Sequence, residues 1–287
     1  MLRGLYMAAA GMIAQQHRHD TVTNNIANIN TPGYKQANAV TRSFPEMLLS
    51  LTGVEEGQGG TIGRVNTGVF AEESLSIQLQ GDLTQTNRSS DFAIMSDIEV
   101  PGIAFDASGK YVSPDGQVTF QPQAFFTVQD AAGETRYTRG GKFSLDTQGY
   151  LITGDGSQVL GPGGTPIQLP ANVSLDQVTI TGNHQLVDSR TGTPVGQLLI
   201  TRVDNPNNLV REGDGKFRLM GDPNMARATA AGDRVEVRQG YIERSNVDSA
   251  QSMIDLMSAL RAYEANQKVV QFYDRSLDKA VNEIGRV

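Results

Sequence analysis

His17 and His19, with Asp20 beside them, are the nearest this sequence comes to a metal-ligating set. Residues two apart on a helix point to different faces and do not converge on one ion, so no metal site is expected there. Gly213-Asp214-Gly215-Lys216 has the ending of a phosphate-cradling loop, but Val210 stands where the first Gly belongs and Phe217 where a Ser or Thr would be needed. A β-turn accounts for it. Asp204-Asn205-Pro206-Asn207-Asn208 begins like a calcium loop, yet Pro206 fills the third position and Gly215, not Glu, the twelfth. Nothing in the sequence brings two of the 31 acidic side chains into one cleft. No catalytic residue is therefore nominated, no enzyme activity is expected, and neither a cofactor nor a metal is called for.

Composition narrows the classes further. A net charge of −7 argues against a broad footprint for nucleic acid, and the absence of Cys removes disulfides and thiolate metal sites. No apolar run approaches the ~18 residues of a membrane span, so no membrane insertion is expected. Arg3 followed by Leu5 to Ala14 has the outline of a secretory leader with Ala8-Ala9-Ala10 as its cleavage point. Only Leu5, Tyr6 and Met7 lie between Gly4 and that point, far short of the ~7 to 15 residues of a leader core, so any export is expected to occur without cleavage.

The elements that organise the chain are its two ends. From Ser245 to Val287 a stripe at alternating steps of three and four runs through Met253, Leu256, Leu260, Tyr263, Gln267, Val270, Asp274, Leu277, Val281 and Ile284. With no Pro, and Gly285 as its only Gly, this stretch predicts one long helix with a packing seam. Ser245 is the expected N-cap, with Asp248 three residues on as its capping-box partner, and Gly285 the expected terminator. At the other end Leu2, Leu5, Ala9, Met12, Gln16, His19, Thr23 and Ile26 repeat the spacing more weakly. That helix should end between Ile26 and Asn30, stopped by Thr31-Pro32-Gly33-Tyr34 as a type II turn.

All 11 Pro, and every Gly except Gly4, Gly11 and Gly285, lie between these ends. Residues 31–80 read as an extended linker, with a short helix at Phe44 to Leu49 and strand character over Val69 to Leu79, one face buried through Leu75, Ile77 and Leu79. Residues 81–241 read as an antiparallel β-domain. Phe126-Thr127-Val128 and Arg136-Tyr137-Thr138 flank a turn at 130–133, and Phe143 to Leu145 and Tyr150 to Ile152 flank another at 146–149. Further strands are expected at 178–181, 196–203, 216–220 and 234–239. The fold class is thus α+β: helices at 1–30 and 242–287 packed as a coiled-coil-like stem, with a central antiparallel β-rich domain.

Ile254, Met257, Val269 and Phe272 lie off the main stripe of the last helix, and a second apolar face implies partners beyond the first helix, most simply copies of the same chain. The expected assembly interface comprises Leu5, Met12 and Ile26 at one end. At the other it comprises Met253, Ile254, Leu256, Met257, Leu260, Tyr263, Val270, Phe272, Leu277, Val281 and Ile284.

Asn24-Asn25-Ile26-Ala27-Asn28-Ile29-Asn30-Thr31-Pro32-Gly33-Tyr34-Lys35 resembles the N-terminal signature of the bacterial flagellar basal-body rod and hook proteins, with Asn24, Asn25, Asn28, Thr31, Gly33 and Tyr34 as the motif residues. The resemblance continues through Asp91-Phe92-Ala93-Ile94, Tyr137-Thr138-Arg139-Gly140-Gly141-Lys142-Phe143, Gly240 to Val247 and Arg261 to Lys268, and looks closest to the distal-rod branch. It implies a non-enzymatic axial subunit of the basal body that self-assembles helically into a drive shaft, meets other rod and hook proteins, and passes unfolded through the flagellar export apparatus. It also implies terminal helices that order on assembly. One departure is the 95–124 stretch, which separates the Asp91 motif from the paired Phe125 and Phe126 and reads as an added hairpin or loop. Two alternatives stand beside the rod: a hook or rod–hook junction subunit, and, from another class, a secreted glycan-binding β-protein with an oligomerising helical stalk. A cell-wall hydrolase is the enzymatic alternative.

Overall fold

The computed structural model describes residues 2–50, 61–106, 109–230 and 232–284. The chain divides into two compact units, one made of residues 1–27, 37–76 and 248–287, the other of 28–36 and 77–247.

In the first unit α1 (Leu2–Ala27) and α2 (Ser249–Lys279) run antiparallel. Arg18 pairs with Asp255 at 3.0 Å, Gly11 abuts Asn266 and Gly4 abuts the Tyr273 ring. Segment 37–76 folds back on itself as successive antiparallel pairs: Ala37–Asn38 with Leu75–Ser76, Thr41–Ser43 with Val69–Ala71, and Met47–Ser50 with Thr61–Val65. Asn25, buried on α1, fixes the start of this ribbon by donating to the Ala37 carbonyl at 2.7 Å and accepting from its N–H at 3.0 Å.

Several expectations are corrected here. The short helix at Phe44 to Leu49 is instead a strand, Met47–Ser50. Six residues cannot offset the cost of helix nucleation, whereas pairing with Thr61–Val65 supplies ladder bonds at once. Val69 to Leu79 is broken into Val69–Ala71 and Leu75–Ser76, and Leu75 is exposed, so no buried face runs through it. The helix does not begin at Ser245. Residues 242–247 belong to the second unit, starting with strand Tyr241–Glu243, and the N-cap is Asp248, which accepts from the Ala250 and Gln251 N–H groups at 2.8 and 3.1 Å. Val247 is buried and Asn246 is bonded to neighbouring backbone, so the chain stays extended until Asp248. Lys279 is followed by a π-helical turn, Ala280–Ile284; Gly285 lies outside the described residues, as do Gly53, Gly57, Gly59 and Gly60 of the linker reading.

The second unit is built on an antiparallel sheet of nine strands among the described residues. Its central strand, Gln123–Gln129, pairs with Thr135–Thr138 on one edge and with Ile200–Val203 and Gln158–Val159 on the other. Adjacent residues of a strand face opposite ways, so Phe125 and Phe126 enter two different cores. Phe126 meets Phe143 edge-on at 5.1 Å in the larger one, with Phe92, Ile94, Leu151 and Ile200; Phe125 meets Phe217 at 6.0 Å beside Val203 and Leu209 in the smaller. Thr127 shares the Phe125 side, and its buried hydroxyl is satisfied by that of Thr201 at 2.6 Å.

Both expected hairpins form, Gln123–Gln129 with Thr135–Thr138 and Phe143–Leu145 with Leu151–Thr153. The strand expected at 196–203 is two strands because the chain changes sheets: Pro194–Gln197 joins Val178–Ile180 and Gln185–Asp188, while Ile200–Val203 joins the main sheet. Within 95–124, Lys110–Val112 and Val118–Phe120 form a two-stranded hairpin.

Candidate assembly interface

The seam between the helices is set one residue away from the stripe that hydrophobicity suggests. In α1 the residues that meet α2 are Gly4, Gly11 and Arg18 rather than Leu5, Met12 and Ile26, which are half-buried. In α2 the row is Ser252, Ala259, Asn266 and Tyr273; Ser252 and Ala259 are buried. Small residues let the two backbones approach closely, so the tightest line of contact holds little apolar surface. A Cβ on Gly11 would lie 2.9 Å from the Asn266 side chain.

The expected interface residues divide accordingly. Leu256, Tyr263, Val270 and Leu277 are half-buried in this unit. Met253, Ile254, Met257, Leu260, Val269, Phe272 and Val281 are exposed, Phe272 to 70% and Leu260 to 42%. They are joined by Tyr6, Met7 and Ile13 of α1. The Ile284 side chain lies outside the described residues. An apolar face this extensive on one helix exceeds the scattered exposure that soluble surfaces normally show.

The motif residues do different work. Pro32 and Gly33 make the expected turn, with Tyr34 N–H donating to the Thr31 carbonyl at 3.3 Å and Gly33 at φ 71°. Thr31 donates to the Asn28 side chain at 3.1 Å. The Gly33 N–H reaches the Glu243 carbonyl at 2.8 Å, and a Cβ there would sit 2.6 Å from the Arg139 and Gly140 backbone. Tyr34 is buried under the Arg211 guanidinium, 4.2 Å from its ring, and Arg211 also donates to the Lys35 carbonyl. Asn24 is on the exposed side of α1 and Asn25 holds the ribbon.

Beside this turn lies a charge cluster that the sequence did not nominate. Lys35 Nζ donates to Glu243 Oε1 at 2.5 Å and to the Leu79 carbonyl at 2.6 Å. Arg139 Nε donates to Glu243 Oε2 at 2.8 Å, while its Nη1 donates to the Ala124 carbonyl at 2.6 Å. The Gly81 N–H adds a third donor to the carboxylate at 2.9 Å. All three side chains are essentially sealed from solvent. Burial, with the Arg139 charge adding to it, pushes the Lys35 ammonium down to about 8 against the pull of Glu243. Burial works to raise the Glu243 carboxyl, but the charges of Arg139 and Lys35 and the Gly81 N–H outweigh it and hold the group below its ordinary value. A sealed cluster whose donors end on backbone carbonyls fastens chain segments together. Lys35, Arg139 and Glu243 each fall inside one of the motif segments named above, but only Arg139 adjoins a glycine, so nothing in their local sequence marks them as one cluster.

The chemical candidates are placed elsewhere. Among the described residues no group of three or more His, Asp or Glu could hold a metal ion. Residues 213–216 are the turn between paired strands Leu209–Gly213 and Lys216–Leu219, and Pro206–Asn208 is a 3-10 turn. Lys216 Nζ lies 3.0 Å from Ser157 Oγ, a spacing a Ser–Lys nucleophile would use. Asp155 takes both groups, at 2.6 and 2.5 Å. Despite its partial burial, the hydrogen bonds from Lys216, Ser157 and Thr153 hold the Asp155 carboxyl down at about 2. Lys216 and Ser157 both donate to Asp155, and Lys216 also donates to Ser157, which makes this a closed hydrogen-bonded trio at the base of the 213–216 turn. Among the described residues no helix is long and apolar enough to cross a membrane.

Two helices from opposite ends of the chain thus form one unit with an apolar face exposed, and the sequence between them is β-rich, the organisation of a structural rather than a catalytic fold. The sequence matches the models for the flagellar basal body rod FlgEFG protein C-terminal region over 238–283, the flagellar hook protein FlgE/F/G D1 domain over 121–186 and the flagella basal body rod protein over 5–35. It is 36% identical over 291 residues to the flagellar hook-basal body complex protein FlhO of Bacillus subtilis, covering 100% of each chain. It is 32% identical to the flagellar basal-body rod protein FlgG of Agrobacterium fabrum, over 95% of this chain and 96% of that one, and 29% identical to FlgG of Bacillus subtilis, over 98% and 99%. The chain belongs to the flagellar basal-body rod and hook family, a family of structural proteins, and is a rod structural subunit.

Proposed function

We propose that this rod subunit self-assembles helically into the axial drive shaft through the open faces of its terminal helices, with α1 and α2 forming a coiled-coil-like stem. The supporting observation is the exposed row Met253, Ile254, Met257, Leu260 and Phe272 on a helix whose intrachain seam is already filled by Ser252 and Ala259. Burial of a large aliphatic or aromatic side chain at about 1.5–3 kcal/mol each makes such a row a strong driver of association. A heterologous contact repeated with a rotation and a rise gives an open tube, and packed helices then carry torque along it. Neighbouring rod and hook proteins meet the same faces where the tube begins and ends, the hairpin at 110–120 decorates the outer surface, and the chain leaves the cytoplasm through the flagellar export apparatus without loss of its N-terminus.

The test is Leu260→Asp, expressed in cells that lack the wild-type copy and that swim when the wild-type copy is restored. The variant should be exported and retain a protease-resistant β-region, yet be missing from purified basal bodies, and the cells should not swim. Normal motility would overturn the interface. Mass spectrometry of the wild-type chain from the same basal bodies should show an N-terminus at Met1 or Leu2; one near Ala10 would overturn uncleaved export.

A further inference from the structure

The chain passes between its two units at 27/28, 36/37, 76/77 and 247/248. On the side of the second unit these passages open into the segments 28–36, 77–81 and 243–247, and all three are fastened to one another by a small set of side chains. Asn246 Oδ1 accepts from the Gln36 N–H at 2.6 Å, while its Nδ2 donates to the Ile77 and Leu79 carbonyls at 2.9 and 3.2 Å. The Glu243 carboxylate takes Lys35 from the first segment and the Gly81 N–H from the second, and the Glu243 carbonyl takes the Gly33 N–H. Lys35 closes the triangle on the Leu79 carbonyl. Arg139 then ties the cluster to the sheet, binding Glu243 with Nε and the Ala124 carbonyl of the central strand with Nη1.

We propose that Glu243 and Asn246, with Lys35 and Arg139, form a single joint that binds every chain passage of the second unit to the central strand Gln123–Gln129, so that the three segments hold or release together. Force or torsion entering through any one of the four passages is then shared among the three segments and delivered to the sheet, where a lone strand would peel away from its partner. The net charge of the cluster, two cations on one carboxylate in a sealed site, supports this reading. Such an arrangement is a poor way to gain stability compared with apolar packing, and its distinguishing property is that removal of the shared partner uncouples everything it holds.

Hydrogen exchange of the full-length chain, read by mass spectrometry, tests the joint without reference to assembly. In Glu243→Gln, residues 31–36, 77–86 and 240–247 should together exchange on the order of a hundredfold faster than in wild type, with protection of 123–138 and 143–153 retained. Acceleration confined to the Gly81 amide would overturn the proposal, because the segments would then be held independently. If Glu243→Gln loses protection across 123–153 as well, Lys35→Met decides, since it leaves the neutral Glu243–Arg139 pair intact. It should accelerate 31–36 and 77–81 together with 243–247 while sparing the sheet. Exchange unchanged from wild type in Lys35→Met, or accelerated at 31–36 alone, would overturn the joint.

Discussion

Raising the pH should make this protein harder to unfold, through Lys35. Its ammonium is held near 8 in the folded chain against 10.5 when exposed, chiefly because burial strips its water and Arg139 repels it. Below pH 8 both states carry the proton. Between pH 8 and 10.5 the unfolded chain binds more protons than the folded one, so unfolding free energy rises with pH across this window and levels off above it. At about 1.4 kcal/mol per pH unit the rise is about 3 kcal/mol, large against a typical folding stability of ~5–15 kcal/mol. Urea unfolding followed by far-UV circular dichroism at steps from pH 7.5 to 10.5 would measure it, because the chain has no Trp and its Tyr fluorescence titrates in the same range. The quantity to read is the difference between wild type and Lys35→Met, which cancels every other titrating group. That difference should climb in favour of wild type as pH rises. A flat or falling difference would refute the claim that a desolvated ammonium sits in the cluster.

Three further outcomes follow from the geometry. Gly33→Ala places a Cβ against the Arg139 and Gly140 backbone at positive φ, and should lower the urea midpoint by an amount equivalent to roughly 2 kcal/mol or more. Asp248→Ala removes the acceptor of two first-turn N–H groups and should cost about 1 kcal/mol of helix stability, whereas Ser245→Ala should leave the helix signal in circular dichroism unchanged. Ala259→Asp buries an unpaired carboxylate in the seam and should lose several kcal/mol, seen as lost helix signal, while the exposed neighbour Leu260→Asp changes stability by less than about 0.5 kcal/mol.

What could be read from the sequence is what local chemistry decides. The end of α1, the Pro32-Gly33 turn and the hairpins around 130–133 and 146–149 follow from residues within a few positions of one another, and they stand as expected. The cap of α2 is not legible locally, because it falls at Asp248 rather than Ser245 only once Val247 is buried, which is tertiary information. The helix seam was displaced by one residue because a hydrophobic stripe reports where apolar area is greatest. The intrachain contact instead follows Gly4, Gly11, Ser252 and Ala259, residues too small to dominate a hydrophobic pattern, and the larger apolar side chains are left outward. The charge cluster joins Lys35 to Glu243 across 208 residues and Arg139 to Glu243 across 104, distances over which spacing carries no signal.

Whether copies of the chain meet on the outward face of α2 is directly measurable, because the sequence has no native Cys. With Leu260→Cys as the only thiol, maleimide labelling should be fast in dilute monomer, blocked in purified basal bodies, and complete again once those basal bodies are denatured. Labelling at the monomer rate in intact basal bodies would mean that Leu260 still faces water in the assembled rod, and would contradict the central claim.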